Sequence, residues 1–119
     1  MLERLLVTGA AGGVANLLRP RLVGVSKKFR LTDIRHFVSA SDLDETMIGD
    51  LADSAFVDQL VQGCDGILHL GGVSTEQPFD EILPANIVGV SNIYRAAAKY
   101  GRPRVIFASS NHVTGAYRT

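Results

Sequence analysis

Residues 4–15, RLLVTGAAGGVA, constrain this chain more than any other stretch. The apolar run Leu5-Leu6-Val7 passes directly into Thr8-Gly9-Ala10-Ala11-Gly12-Gly13-Val14-Ala15. That order reads as a buried strand, a tight glycine turn and the first turn of a helix. Glycine lacks Cβ and tolerates positive φ, so the turn can bring bare backbone close to a ligand. The helix start then offers N–H groups and the positive end of its dipole to a pyrophosphate. In this role Gly9 makes the turn, Gly12 admits the pyrophosphate, and Ala15 lies where the helix crosses the strand closely. Alanine is an accepted third member of the pattern. A surface turn could also carry glycines. Here, however, a strand precedes, a helix follows, and acidic Asp33 ends the next apolar segment, about 20 residues on, as the dinucleotide fingerprint requires.

The rest of the chain alternates strand and helix. Strands are expected at Leu2 to Thr8 and over residues 29–33, 46–49, 65–70 and 104–108. Continuous apolar character in the first suggests burial on both faces of a parallel sheet. Helices are expected over residues 12–24, with Leu17, Leu18 and Leu22 as the buried stripe, and from Asp53 as N-cap through residue 62, stopped by Gly63. A long helix is expected over residues 79–100, with Ile82, Leu83, Ile87, Val90, Ile93, Tyr94 and Ala97 on one face. Pro20 inside the first helix either kinks or ends it. The alternation gives an α/β fold: a Rossmann-type, doubly wound parallel sheet of order 3-2-1-4-5 in one domain, with helices on both faces.

Composition narrows the function. Twelve basic residues balance twelve acidic ones, which argues against a nucleic-acid or membrane-surface binder. A single cysteine, Cys64, allows no intrachain disulfide and fits a reducing compartment. With no signal-peptide shape and no membrane-length apolar run, the expected location is the cytoplasm.

Candidate site residues cluster where strands end. Asp33 can accept hydrogen bonds from both ribose hydroxyls of an adenosine and would repel a 2′-phosphate, so NAD is expected over NADP. Arg35 pulls the other way if it accommodates a 2′-phosphate; its side chain could instead stack on adenine. Asp50-Leu51 suits an acceptor for the adenine amino group with an apolar wall beside it. An aspartate favoured at a helix start explains Asp50 equally well. Leu70-Gly71-Gly72-Val73-Ser74 lies at the carboxyl end of strand four, where open α/β sheets bind ligands. The glycines let a cofactor pass, and Ser74 is either a hydroxyl facing substrate or a solvated loop serine. His69, inside that strand, reads as a core histidine satisfied by its neighbours. Ser109-Ser110-Asn111-His112 follows strand five as a polar run placed to meet the reacting part of a ligand. No metal is expected, because the histidines and cysteine show no ligand spacing. No G-x-S-x-G elbow supports a hydrolase.

Together, Thr8-Gly9-x-x-Gly12-x-x-Ala15, Asp33, Asp50-Leu51 and Ser109-Ser110 resemble the extended short-chain dehydrogenase/reductase family over the whole chain. LLVTGAAG, CDGILHLGGVS at 64–74 and FASSNHVTG at 107–115 resemble its uronate dehydrogenases in particular. That resemblance implies NAD-dependent oxidation of a hexuronic acid, galacturonate or glucuronate, at its anomeric carbon to an aldarolactone. It implies that Ser110 is the catalytic serine and that Ser74, Asn111 and His112 also contact the sugar acid. It further implies that Gly13, Val14, Ile34 and Ser109 join Asp33, Asp50, Leu51, Leu70, Gly71 and Gly72 along the cofactor. Asn86 would lie beside the nicotinamide end.

The family's general base is a tyrosine with a lysine four positions later. No tyrosine here has that partner: Ala98 follows Tyr94, Arg104 follows Tyr100, and Tyr117 is two residues from the end. The chain therefore reads as the amino-terminal portion of a longer enzyme, inactive by itself and expected to self-associate through an open sheet edge. A nucleotide-sugar epimerase or dehydratase, and a non-catalytic NAD-binding module, are the alternatives.

Overall fold

The computed structural model describes residues 1–39 and 41–110. Strand β1 (Leu2–Thr8) is the middle of a five-stranded, all-parallel sheet of order β3-β2-β1-β4-β5. Leu5, Leu6, Val7 and Thr8 are all buried. Their unbroken apolar run reflects a strand covered on both faces. Around it stand β2 (Ser26–Asp33), β3 (Asp44–Ile48), β4 (Gly66–His69) and β5 (Arg104–Phe107). β2 and β3 both start earlier than the sequence suggests, because pairing with β1 and β2 recruits the polar residues Ser26 to Lys28 and Asp44-Glu45.

Alternation across the pleat divides the core in two. On one face Leu6 and Ile67 pack with Val57, Leu60 and Val61 of α2 (Ser54–Val61) and Ile93, Ala96 and Ala97 of α4 (Gly89–Lys99). On the other, Leu5, Val7, Phe29 and Leu31 pack with Ala10, Leu22 and Phe37. At the carboxyl ends the register aligns Thr32, Thr8, His69 and Phe107 in one row across four strands.

The helices hold the main corrections. α1 is short (Gly13–Leu18) and passes into a 3-10 helix (Arg19–Leu22), with Pro20 in the first turn of the latter. Proline needs no N–H there, which resolves its awkward position. The predicted stripe fails at Leu17, which is 68% exposed: it follows buried Ala15 by two residues, about 200° round the helix, and so points away from the sheet. The helix expected over residues 79–100 is instead α3 (Phe79–Ile82), a π-helical segment (Leu83–Val88) and α4. A π turn holds an extra residue and rotates everything downstream. The buried set of α4 is accordingly Gly89, Asn92, Ile93, Ala96 and Ala97, while Ile87 and Tyr94 face out. The α2 start follows expectation: Asp53 accepts from the N–H groups of Ala55 and Phe56. Gly63 ends that helix with φ of +79°. β5 pairs only with β4 among the described residues, and its Ile106 and Phe107 are exposed.

Candidate functional site

A cleft of about 650 Å³ opens at the carboxyl ends of β1, β2 and β4. Gly9 makes its floor possible. Its φ is +67°, and a Cβ there would stand 2.8 Å from the Gly71 nitrogen and 2.9 Å from the Leu70 carbonyl carbon. The two strand ends can approach only without a side chain. Gly12 donates its N–H to the Gly9 carbonyl at 2.9 Å, closing the turn before α1. Gly13 and Val14 open α1 along the cleft, and Ala15 is buried at 1% exposure.

Asp33 ends β2 at the same cleft with its carboxylate 8% exposed. One oxygen accepts the Ala11 N–H at 3.0 Å, and the other accepts the Arg35 N–H at 3.0 Å. The Arg35 guanidinium lies 3.6 Å from that second oxygen and donates to the Ala11 carbonyl at 3.2 Å. The turn and the carboxylate are thus tied together from both sides. Arg35 is turned toward this latch, and Ile34 lines the cleft beside it.

Asp50 and Leu51 form another wall. Asp50 accepts the Ala52 N–H at 2.9 Å in a local turn, and Asp53 caps α2. Asp50 thus stands three residues before the cap of α2, at the cleft edge. Leu51 is anchored by Asn92 of α4, whose amide donates to the Leu51 carbonyl at 2.8 Å.

Leu70, Gly71, Gly72, Val73 and Ser74 form a wall shared with a second cleft of about 700 Å³. That cleft is also lined by Asn86, Phe107, Ser109 and Ser110. Asn86 clamps the wall: its Oδ1 accepts the Val73 N–H at 2.7 Å and its Nδ2 donates to the Val73 carbonyl at 2.9 Å. The residue sits inside the π segment, whose wide turn presents it there. Its amide holds the loop, so it shapes the cleft wall through Val73. Asn111 and His112 lie outside the described residues.

Behind the wall, the Thr8 hydroxyl accepts the N–H groups of Leu70 at 3.1 Å and Gly71 at 2.9 Å, and lies 2.6 Å from His69 Nδ1. His69 is fully buried, and burial pushes its imidazole pKa down. Its satisfaction is partial: Nε2 has no hydrogen-bond partner among the described residues. Also among the described residues, no three His, Cys, Asp or Glu side chains converge as a metal site, and no helix is long and apolar enough to cross a membrane.

Residues 5–119 match the NAD dependent epimerase/dehydratase family. The chain belongs to that family. A uronate dehydrogenase of Pseudomonas syringae pv. tomato is 55% identical over 117 residues, covering 98% of this chain and 42% of the relative. A crystal structure of glucuronic acid dehydrogenase from Chromohalobacter salexigens superposes with TM-score 0.91 at 54% identity, over 94% of this chain and 42% of the other. Uronate dehydrogenase from Agrobacterium tumefaciens, as a tyrosine-to-alanine variant complexed with NAD, superposes with TM-score 0.89 at 49% identity, over 92% and 42%. This family member therefore spans less than half the length of the relatives it matches.

Thr8, Asn92 and Thr32 shape the clefts without a role assigned to their side chains from sequence. Thr8 carried a signal: a hydroxyl ending a fully buried strand must find partners. Asn92, a buried amide on an otherwise apolar helix face, carried the same signal. Thr32, which lines the first cleft in register with Thr8, sits between Leu31 and Asp33 and carries no such signal.

Proposed function

We propose that this chain is the cofactor-binding part of an NAD-dependent oxidoreductase that oxidises a hexuronic acid at its anomeric carbon. The observation carrying the reading is the latch: a carboxylate fixed at the end of β2, tied to the glycine turn, at one end of a groove that runs on to Ser109 and Ser110. The relatives named uronate dehydrogenase and the NAD complex support it.

The chain's groups fit a dinucleotide. Each Asp33 oxygen accepts one N–H and keeps a lone pair for a ribose hydroxyl. Ile34, Arg35, Asp50 and Leu51 surround the adenosine end. Gly9, Gly12, Gly13 and Val14 give the pyrophosphate bare backbone and the first N–H groups of α1, which have no intrahelical acceptor. Leu70, Gly71, Gly72 and Ser109 line the nicotinamide end, with Asn86 holding their loop. Bound NAD supplies the hydride acceptor. Ser110 hydrogen-bonds the reacting hydroxyl and orients it, while Ser74, with Asn111 and His112, takes up the sugar acid's polar groups.

Calorimetric titration with NAD and with NADP tests the cofactor. NAD is expected to bind more tightly, and equal affinity or a preference for NADP overturns the assignment. Melting of the NAD-saturated chain tests the substrate class. Galacturonate or glucuronate should raise the transition temperature more than galactose or glucose, and an equal response removes the sugar-acid reading.

A further inference from the structure

His69 is a fully buried titratable group that the proposed chemistry does not use. Its place in the fold follows from hydrogen-bond arithmetic at Thr8. A hydroxyl has two lone pairs and one proton. The N–H groups of Leu70 and Gly71 can only donate, so they occupy both lone pairs of Thr8 Oγ1. The third contact, 2.6 Å to His69 Nδ1, must then use the hydroxyl's own proton. If Nδ1 carried a proton, three donors would compete for two lone pairs. The Thr8 proton would also be left without an acceptor at a fully buried residue, which is costly.

We infer that His69 is a positioning residue: a neutral imidazole protonated at Nε2, whose Nδ1 fixes the Thr8 hydroxyl so that its oxygen holds Leu70 and Gly71 in the wall of the cleft. Three further observations support this. Burial disfavours the imidazolium, which could accept nothing from Thr8. The ring is wedged against Phe107, with centroids 5.5 Å apart and planes at 20°. Nothing among the described residues hydrogen-bonds Nε2, so that nitrogen is unpaired there in either tautomer and the choice falls to Thr8. The consequence for the cleft is direct, because the Gly71 nitrogen is what the Gly9 turn packs against. That last step rests on the NAD reading of the cleft; the tautomer does not.

Long-range proton–nitrogen correlation spectra of the nitrogen-15-labelled chain at neutral pH read the tautomer directly, without any variant or cofactor. Nδ1 is expected unprotonated and Nε2 protonated. An Nδ1–H tautomer or an imidazolium overturns the inference. Thr8→Val should abolish the selection and Thr8→Ser should retain it; a tautomer unmoved by Thr8→Val also overturns it. For the cleft, His69→Asn keeps an acceptor close to the Nδ1 position, whereas His69→Leu has none. His69→Leu should weaken NAD binding about tenfold, the worth of one buried hydrogen bond, and His69→Asn should recover most of that loss. Equal weakening by both variants refutes the positioning role. A parent chain that binds no NAD while showing the Nε2–H tautomer refutes the cofactor reading alone.

Discussion

Replacing Asp33 separates its two jobs, holding the glycine turn and choosing the cofactor. Its carboxylate is 8% exposed and takes backbone N–H groups from Ala11 and Arg35, each at 3.0 Å. Hydrogen bonds to a charged acceptor contribute about 1.5–3 kcal/mol each. The Arg35 guanidinium, 3.6 Å away and 67% exposed, adds little once solvent screening is counted. Asp33→Asn keeps one oxygen and turns an NH2 toward a donor at the other, so it should cost about 1.5–3 kcal/mol of stability. Asp33→Ala frees both N–H groups, but water in the open cleft can meet them, which places its cost at about 3 kcal/mol, the lower end of two such bonds. For binding, either change removes acceptors for the ribose diol and also removes the negative charge that repels a 2′-phosphate. NAD affinity should fall about 10- to 100-fold, while NADP affinity falls less or rises. Titration calorimetry with both cofactors supplies the ratio of their dissociation constants. General loosening of the fold weakens both equally and cancels in that ratio. The ratio should shrink about tenfold or more; an unchanged ratio, with both cofactors weakened alike, would show that Asp33 only braces the turn.

Gly9→Ala should cost about 3 kcal/mol or prevent folding, since positive φ and a 2.8 Å approach to the Gly71 backbone both oppose a Cβ. Gly13→Ala meets nothing within 4 Å and should be neutral or stabilising by up to about 1 kcal/mol in denaturant melts, so equal losses at the two glycines would refute the steric account. Asn86→Ala should speed amide exchange at Val73 and destabilise by about 1–3 kcal/mol, because it leaves both Val73 backbone groups unpaired; unchanged exchange at Val73 would contradict the clamp. Stability should fall in two stages on acidification. Burial lowers the His69 pKa, so the unfolded chain takes up that proton first and stability drops as pH falls below about 6.5. Burial pushes the Glu45 carboxyl up, but Arg30 and Arg4 overbalance it and hold it low; the N–H groups of Glu3 and Arg4 hold Asp65 low. Their stabilisation is present above the ordinary carboxylate range of about 4 and is lost below it. A denaturant midpoint that stays flat from neutral pH to about 5 would rule out the first stage.

What the sequence determined by itself is local. The Leu5-to-Thr8 run, the glycines after it, Asp53 and Gly63 each specify a backbone conformation or a burial demand through residues within a few positions. The glycine turn and the α2 cap were therefore legible, and the strand order followed from strand–helix alternation with right-handed crossovers. Tertiary structure decided what depends on distant partners. Ile87 and Tyr94 fit a regular helical stripe, yet the π segment turns them outward, and no period in the sequence encodes one added residue in a turn. Arg35 donates to the Ala11 carbonyl, 24 residues away in the chain, a partner that no local pattern names. His69 showed as a buried histidine, but its duty comes from Thr8, 61 residues earlier and adjacent only because β1 and β4 pair in that register. Side-chain period tells which face a residue occupies, whereas the donors and acceptors waiting on that face are supplied by other strands.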